Sequence, residues 1–306
     1  MADKDKNVSF APPLPRIHGP KLPSFSVTGN AQIDFLKPLG QSEDQDACVW
    51  EVQIEGKRYA LKMEYCSETA PFLTRGLKKE ESYVDYYDPF NCECRVYGRL
   101  RDEERQDLAV RAYGYLLLTP EQEKFVAEKE TGDPQPQGLE ILDGDGFWER
   151  WEEHRGQTVR AIVKELVVPR PGETGPLEFQ ASHVPQMWND LDTLHSLGIL
   201  VRDIHYANYL SGKLVDFSRA WTMYHPSLDL IPPSSYQAVR KTEVLDLEQL
   251  IYDFWTQNPS VVPEDFKLPQ GLLNCTGSNL ACGESPREYN WQAREEEVFV
   301  PEDLFS

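Results

Sequence analysis

With 306 residues and 14 Tyr, 13 Phe and 7 Trp, the chain can bury a sizeable core, which excludes a disordered polymer. Its 31 Lys and Arg against 51 Asp and Glu give a net charge of -20, which opposes direct binding to nucleic acid or anionic lipid and points to protein partners. No apolar run reaches membrane-spanning length, Met1–Lys6 lacks the apolar region of a signal peptide, and the six cysteines form no CxxC pair, so reduced thiols in nucleus or cytoplasm are predicted.

Residues 1–29 carry Pro12, Pro13, Pro15, Pro20 and Pro23, which predicts a flexible, extended arm. A mainly β part follows over 30–168. Trp50, Val52 and Ile54 alternate with polar residues, Glu55-Gly56-Lys57 supplies a turn, and Arg58 to Met63 returns as a second strand. Phe90 to Arg101 reads as a helix with Glu93, Val96, Tyr97 and Leu100 on one stripe. Leu108–Val110 and Tyr113–Leu118 read as buried strands, and 119–146 as an acidic loop or insertion rich in Gly and Pro. Val159 to Val168 is again strand-like.

Helices dominate 169–282. Met187, Trp188, Leu191, Leu194 and His195 line a helix that ends at Gly198. Buried, hydrogen-bonded His195 is the structural reading of that face. A further helix is predicted from about Thr242 to Thr256, and 283–306 is an acidic tail. Strands first and helices afterward, dividing near residue 169, make an α+β plan in two lobes.

The segment Val201-Arg202-Asp203-Ile204-His205-Tyr206-Ala207-Asn208, followed by Val215-Asp216-Phe217, carries the chemistry. An Asp, an Asn five positions on, and a second Asp after a short apolar run fit phosphoryl transfer from ATP and Mg2+. Asp203 would orient an attacking hydroxyl, while Asn208 and Asp216 would hold metal. Tyr209-Leu210, Ser211-Gly212 and Lys213-Leu214 read as a hairpin with a two-residue turn, which brings Asn208 and Asp216 together as hard oxygen ligands. On the strand Tyr59–Met63, Ala60 and Lys62 share a face, with room for a flat ring and an ammonium for phosphate oxygens. Glu93 is the anionic partner expected for Lys62. Read singly, the lysine would face solvent and each carboxylate would cap a turn.

The order Ala-x-Lys, helix Glu, Arg-Asp-x4-Asn and Asp-Phe resembles the protein-kinase fold over roughly 33–256. That resemblance implies a two-lobed fold with a shortened helical C-terminal lobe. It assigns Lys62 to the phosphates, Glu93 to Lys62, Asp203 to the catalytic base, and Asn208 and Asp216 to metal. It sets Glu165 and Leu166 at a hinge facing adenine, and matches Asp246 to a buried helix aspartate that braces the catalytic loop. Several positions depart from it. Val201 stands for the usual histidine, Ser218 for a glycine, the glycine-rich loop is reduced to Leu39-Gly40-Gln41-Ser42-Glu43, and no Ala-Pro-Glu motif follows. His205 and the short gap from Asn208 to Asp216 look more like aminoglycoside and choline kinases.

A narrower resemblance rests on Phe90-x-x-Glu93-Cys94-Arg95-x-Tyr97-Gly98-Arg99-Leu100, on Ala109-Val110-Arg111-x-Tyr113-Gly114-Tyr115, and on the two segments around Asp203 and Asp216. These look like a fungal kinase-like family named for the Fta-two type subunit of the kinetochore Sim-four complex. The implied roles are an ATP- and magnesium-binding, weak phosphotransferase or a non-catalytic pseudokinase scaffold, with kinetochore subunits as partners.

Overall fold

The structure is a computed structural model that describes residues 14–17, 19–26, 32–39, 47–64, 85–133, 147–148, 158–168, 180–225, 228 and 233–257. The glycine-poor loop after Leu39 and the acidic tail lie outside these residues. The architecture is α+β, built on a five-stranded antiparallel sheet in the order β1-β2-β3-β5-β4. The strands are β1 (Ile33–Pro38), β2 (Ala47–Ile54), β3 (Lys57–Glu64), β4 (Ala112–Leu117) and β5 (Arg160–Glu165). Between β2 and β3, Glu55 and Gly56 both have positive φ (49° and 77°), as a tight two-residue hairpin turn requires. In register, Trp50 faces Leu61 and Val52 faces Tyr59.

One face of the sheet is covered by α2 (Pro120–Thr131), and a core of Trp50, Val52, Leu61, Met63, Val126, Trp148 and Val163 lies between them. This helix falls inside the stretch expected to be a loop. Its start is a capping box between Thr119 and Gln122 with Pro120 in the first turn, and it stops at Gly132 in the left-handed region, φ 68°. The acidic composition hid an ordinary set of helix boundary residues. Glu123 is buried, and its carboxylate accepts the Val159 N–H at 2.5 Å, which ties the helix to the start of β5.

Against the other face lie α1 (Pro89–Asp102) and, beyond it, α3 (Val184–Ser196) and α4 (Pro233–Gln257). The short strands β6 (Ile199–Leu200) and β9 (Trp221–Thr222) pair with each other, as do β7 (Tyr209–Leu210) and β8 (Lys213–Leu214). Phe90, Leu108, Leu191, Leu194, Tyr209, Phe217, Leu247 and Ile251 belong to this second core. Leu108 ends a short 3-10 turn rather than a strand, and only Ala109 forms a bridge, to Leu214. Helix α4 begins at Pro233, nine residues before the predicted start. Among the described residues, no helix is long and apolar enough to cross a membrane.

Every residue of α1 from Phe90 to Leu100 is buried, not only the predicted stripe. Arg95 and Arg99 donate to carbonyls of Thr222 and Met223, Asn91 accepts from Arg160, and part of the expected arm covers the rest. Leu22, 2% exposed, donates its N–H to Cys94 O at 2.8 Å, and Phe25 N–H reaches Tyr115 O at 2.7 Å. The backbone of Lys21 runs so close to α1 that a Cβ at Gly98 would overlap it. Arg16 pairs with Asp85 at 2.9 Å. Residues 14–17 and 19–26 therefore act as a strap across α1 and the β4 edge. Gly98→Ala is expected to displace that strap at a cost of about 2–4 kcal/mol, from one Leu side chain and one backbone hydrogen bond. Chemical denaturation measures the loss, and faster proteolytic cleavage between residues 14 and 26 locates it; unchanged stability and cleavage would contradict the strap.

Candidate functional site

Alternation along β3 sends Leu61 and Met63 into the α2-side core and turns Ala60, Lys62 and Glu64 to the opposite face. The ladder to β5 sets Ala60 opposite Lys164 and Lys62 opposite Ile162. Helix α1 approaches the same face. Asp88 caps it through the Asn91 N–H at 3.0 Å, and the same carboxylate pairs with Arg160 of β5 at 2.9 Å. That anchoring delivers Glu93, with 0% exposure, to the end of the Lys62 side chain.

Lys62 Nζ lies 2.5 Å from Glu93 Oε1, 2.7 Å from Asp216 Oδ1 and 2.7 Å from Glu64 Oε1. Lys164 Nζ lies 2.7 Å from Glu93 Oε2 and donates to the Val215 carbonyl at 2.7 Å. Glu93 Oε1 also accepts the Phe217 N–H at 3.1 Å. Three carboxylates thus face two ammoniums in a buried cluster. Burial pushes the Glu64 carboxyl up to about 8, reinforced by Glu93 and Asp216 and only partly offset by Lys62. Burial would also raise Asp216, but Lys62 and Lys164 overcome it and hold that carboxyl well below the usual range. Burial opposes the charge on Lys62, yet Asp216, Glu64 and Glu93 raise its pKa well above the ordinary lysine value.

Oxygens of Glu64, Glu93 and Asp216 come within 4.8 Å of one another, a spacing open to a cation. The Lys62 ammonium already stands at 2.5–2.7 Å from all three, so that position has its positive charge.

The cluster opens into a cavity of about 450 Å³ between the sheet and the segment 203–219. Its lining brings together Ala60, Lys62, Glu165, Leu166, Asp203, Asn208 and Asp216. The β7–β8 turn is the expected two-residue one, with Ser211 at φ 50° and Gly212 at φ 77°. Across it the Val215 N–H donates to Asn208 O at 3.0 Å. The Asn208 amide nitrogen donates to Asp203 O at 2.9 Å and to Asp203 Oδ2 at 3.2 Å, which leaves its oxygen as the atom free to meet a cation. Asp216 Oδ1 accepts the Ser218 N–H at 2.7 Å. His205 is half-exposed, 3.5 Å from Asp203.

Asp246 does not brace the loop that carries Asp203; it is exposed on α4. Glu243, one turn earlier, performs that task. Its buried carboxylate accepts the Val201 N–H at 3.1 Å, the Arg202 N–H at 2.9 Å, and a hydrogen bond with His195 Nε2 at 2.8 Å. Arg202 has φ 63°, and its guanidinium stacks on Trp221 at 3.5 Å. The sequence did hold a signal for Glu243, because it shares the i, i+4 stripe of Leu247 and Ile251. Glu64 and Lys164 were also missed. Glu64 shares the phase of Lys62, two positions along β3, and Lys164 is the cross-strand partner of Ala60, on the opposite phase to Glu165.

These elements define a class: an α+β protein in which an antiparallel sheet and a helical half enclose a cavity floored by a buried lysine–carboxylate cluster. A family model described as kinetochore Sim4 complex subunit FTA2 matches residues 10–221, and the chain belongs to that family. The match spans the whole cavity and the strap and ends before α4, so Glu243 lies beyond it. No curated protein matches the chain.

Proposed function

We propose that this kinetochore-family subunit binds ATP with magnesium in a protein-kinase-like cleft between two lobes. The observation that carries the reading is the meeting of Lys62, Glu93 and Asp216 at the floor of one cavity that Asp203 and Asn208 also line. Adenine would lie against Ala60, near Glu165 and Leu166, with the phosphates toward Lys62. The oxygens of Asn208 and Asp216 form a donor set suited to a hard cation. Magnesium, when bound there, would supply neutralising charge beside the phosphates. Asp203, held by the Asn208 amide, would orient an acceptor hydroxyl.

A second reading is a binding module without turnover, serving as a scaffold. It is favoured by the Lys62 ammonium, whose charge is already met by three carboxyl groups in the free chain. Nucleotide binding without transfer of labelled phosphate to any acceptor would separate it from catalysis. In either case membership of a kinetochore-subunit family supports protein partners and a nuclear location.

Mg-ATP at about 100 times its Kd is expected to raise the Tm of the wild type by on the order of 5 °C. Asp216→Ala is expected to lose most of that shift. A wild-type Tm that stays fixed across millimolar Mg-ATP sinks the nucleotide reading.

A further inference from the structure

Lys164 has no role in the reading above, yet it is buried, lines the cavity and ends in the cluster. Strand β5 presents Arg160, Ile162 and Lys164 on one face. Its two cations grip α1 at two places, Arg160 at the capping Asp88 and Lys164 at Glu93. Lys164 also donates to the carbonyl of Val215, the residue before Asp216.

The Lys62 ammonium donates to Glu93 and stands within 2.7 Å of carboxyl oxygens of Glu64 and Asp216. A phosphate that reaches Lys62 competes with these groups for its charge. Glu93 has no exposure to water, and a buried carboxylate left without a cation is strongly disfavoured. Lys164 on Glu93 Oε2 removes that obstacle, because Glu93 keeps an ion pair whichever way Lys62 turns. The same ammonium keeps Val215 fixed, and with it the turn that aims Asp216.

We infer that Lys164 is a positioning residue of the cleft, which pairs Glu93 and anchors the Val215–Phe217 turn so that Lys62 is free to meet an anionic phosphate and Asp216 stays aimed at the metal. The inference rests on the nucleotide reading. Its mark is a selective effect on the metal-dependent part of binding.

The test titrates the full chain with ATP, in magnesium and in excess EDTA, for wild type, Lys164→Met, Lys164→Arg and Arg160→Met. Lys164→Met is expected to weaken Mg-ATP binding by about tenfold or more, the usual range for a residue that orients a metal ligand, and binding of metal-free ATP, which loses only the freedom of Lys62, by a clearly smaller factor. Lys164→Arg should recover much of the loss. Arg160→Met also loosens α1 but touches neither Glu93 nor Val215 in the described contacts, so its ratio of the two affinities should match the wild type.

Equal Mg-ATP affinity in wild type and Lys164→Met, or an equal fall in both affinities, overturns the role of Lys164 and leaves the nucleotide reading standing. If the wild type binds neither form, the nucleotide reading falls. Amide hydrogen exchange over 214–218 in the free protein then decides whether Lys164 anchors the turn. At least tenfold faster exchange in Lys164→Met than in Arg160→Met supports the anchor, and equal exchange overturns it.

Discussion

Glu243→Ala is expected to destabilise the protein by about 3–5 kcal/mol. The substitution removes an acceptor shared by the Val201 N–H, the Arg202 N–H and His195, all within 3.1 Å. Val201 and His195 are buried, so their donors cannot turn to water, and each unsatisfied buried donor costs about 1–3 kcal/mol. Arg202 also loses a bond that supports its left-handed backbone, a conformation a non-glycine residue holds only when its surroundings demand it. The loop that presents Asp203 should therefore loosen along with the global loss. Glu243→Gln keeps one acceptor and the shape, and should cost about half as much. Asp246→Ala, on the exposed face, should change stability by less than about 0.5 kcal/mol. Urea denaturation of the three variants measures this directly. A large loss for Asp246→Ala with a small one for Glu243→Ala would return the bracing role to the residue the kinase resemblance chose.

Glu93→Leu is expected to cost a similar amount, about 3–5 kcal/mol, for a different reason. It leaves Lys164 without its carboxylate and the Phe217 N–H without an acceptor, while Lys62 retains Glu64 and Asp216. Most of the cost is thus a stranded Lys164. Adding Lys164→Met to Glu93→Leu should recover about 1–3 kcal/mol, because the buried charge leaves with its partner. A double-mutant cycle by denaturation reads the coupling. Strict additivity would mean that the Lys164–Glu93 contact contributes nothing to the fold.

Much of the secondary structure was legible because period and punctuation agreed. The β2–β3 hairpin had alternation on both sides of Glu55-Gly56, and α3 had its apolar face and its terminal Gly198. Lys62 and Glu93, 31 positions apart, could be paired in advance because one sits on a strand phase and the other starts a helical stripe. Helix α2 was missed because acidic residues outweighed the capping signals at Thr119 and Gln122. The strap was missed because prolines say only that a segment is extended. Whether an extended segment is solvated or laid along a helix depends on what it meets, here the bare backbone surface at Gly98.

By itself the sequence determined the β2–β3 hairpin, the helices α1 and α3, the turn between Asn208 and Asp216, and the residue types able to handle an anion and a cation. These are local matters, since side-chain period and turn chemistry act over a few residues. Only the tertiary structure decided that Lys62 meets three carboxylates, that Lys164 holds Glu93 from the far side, and that Glu243 supports the Asp203 loop. Those choices arise where strands and helices distant in the chain converge away from water. There a charge must find a partner, and which one it finds is set by packing rather than by spacing.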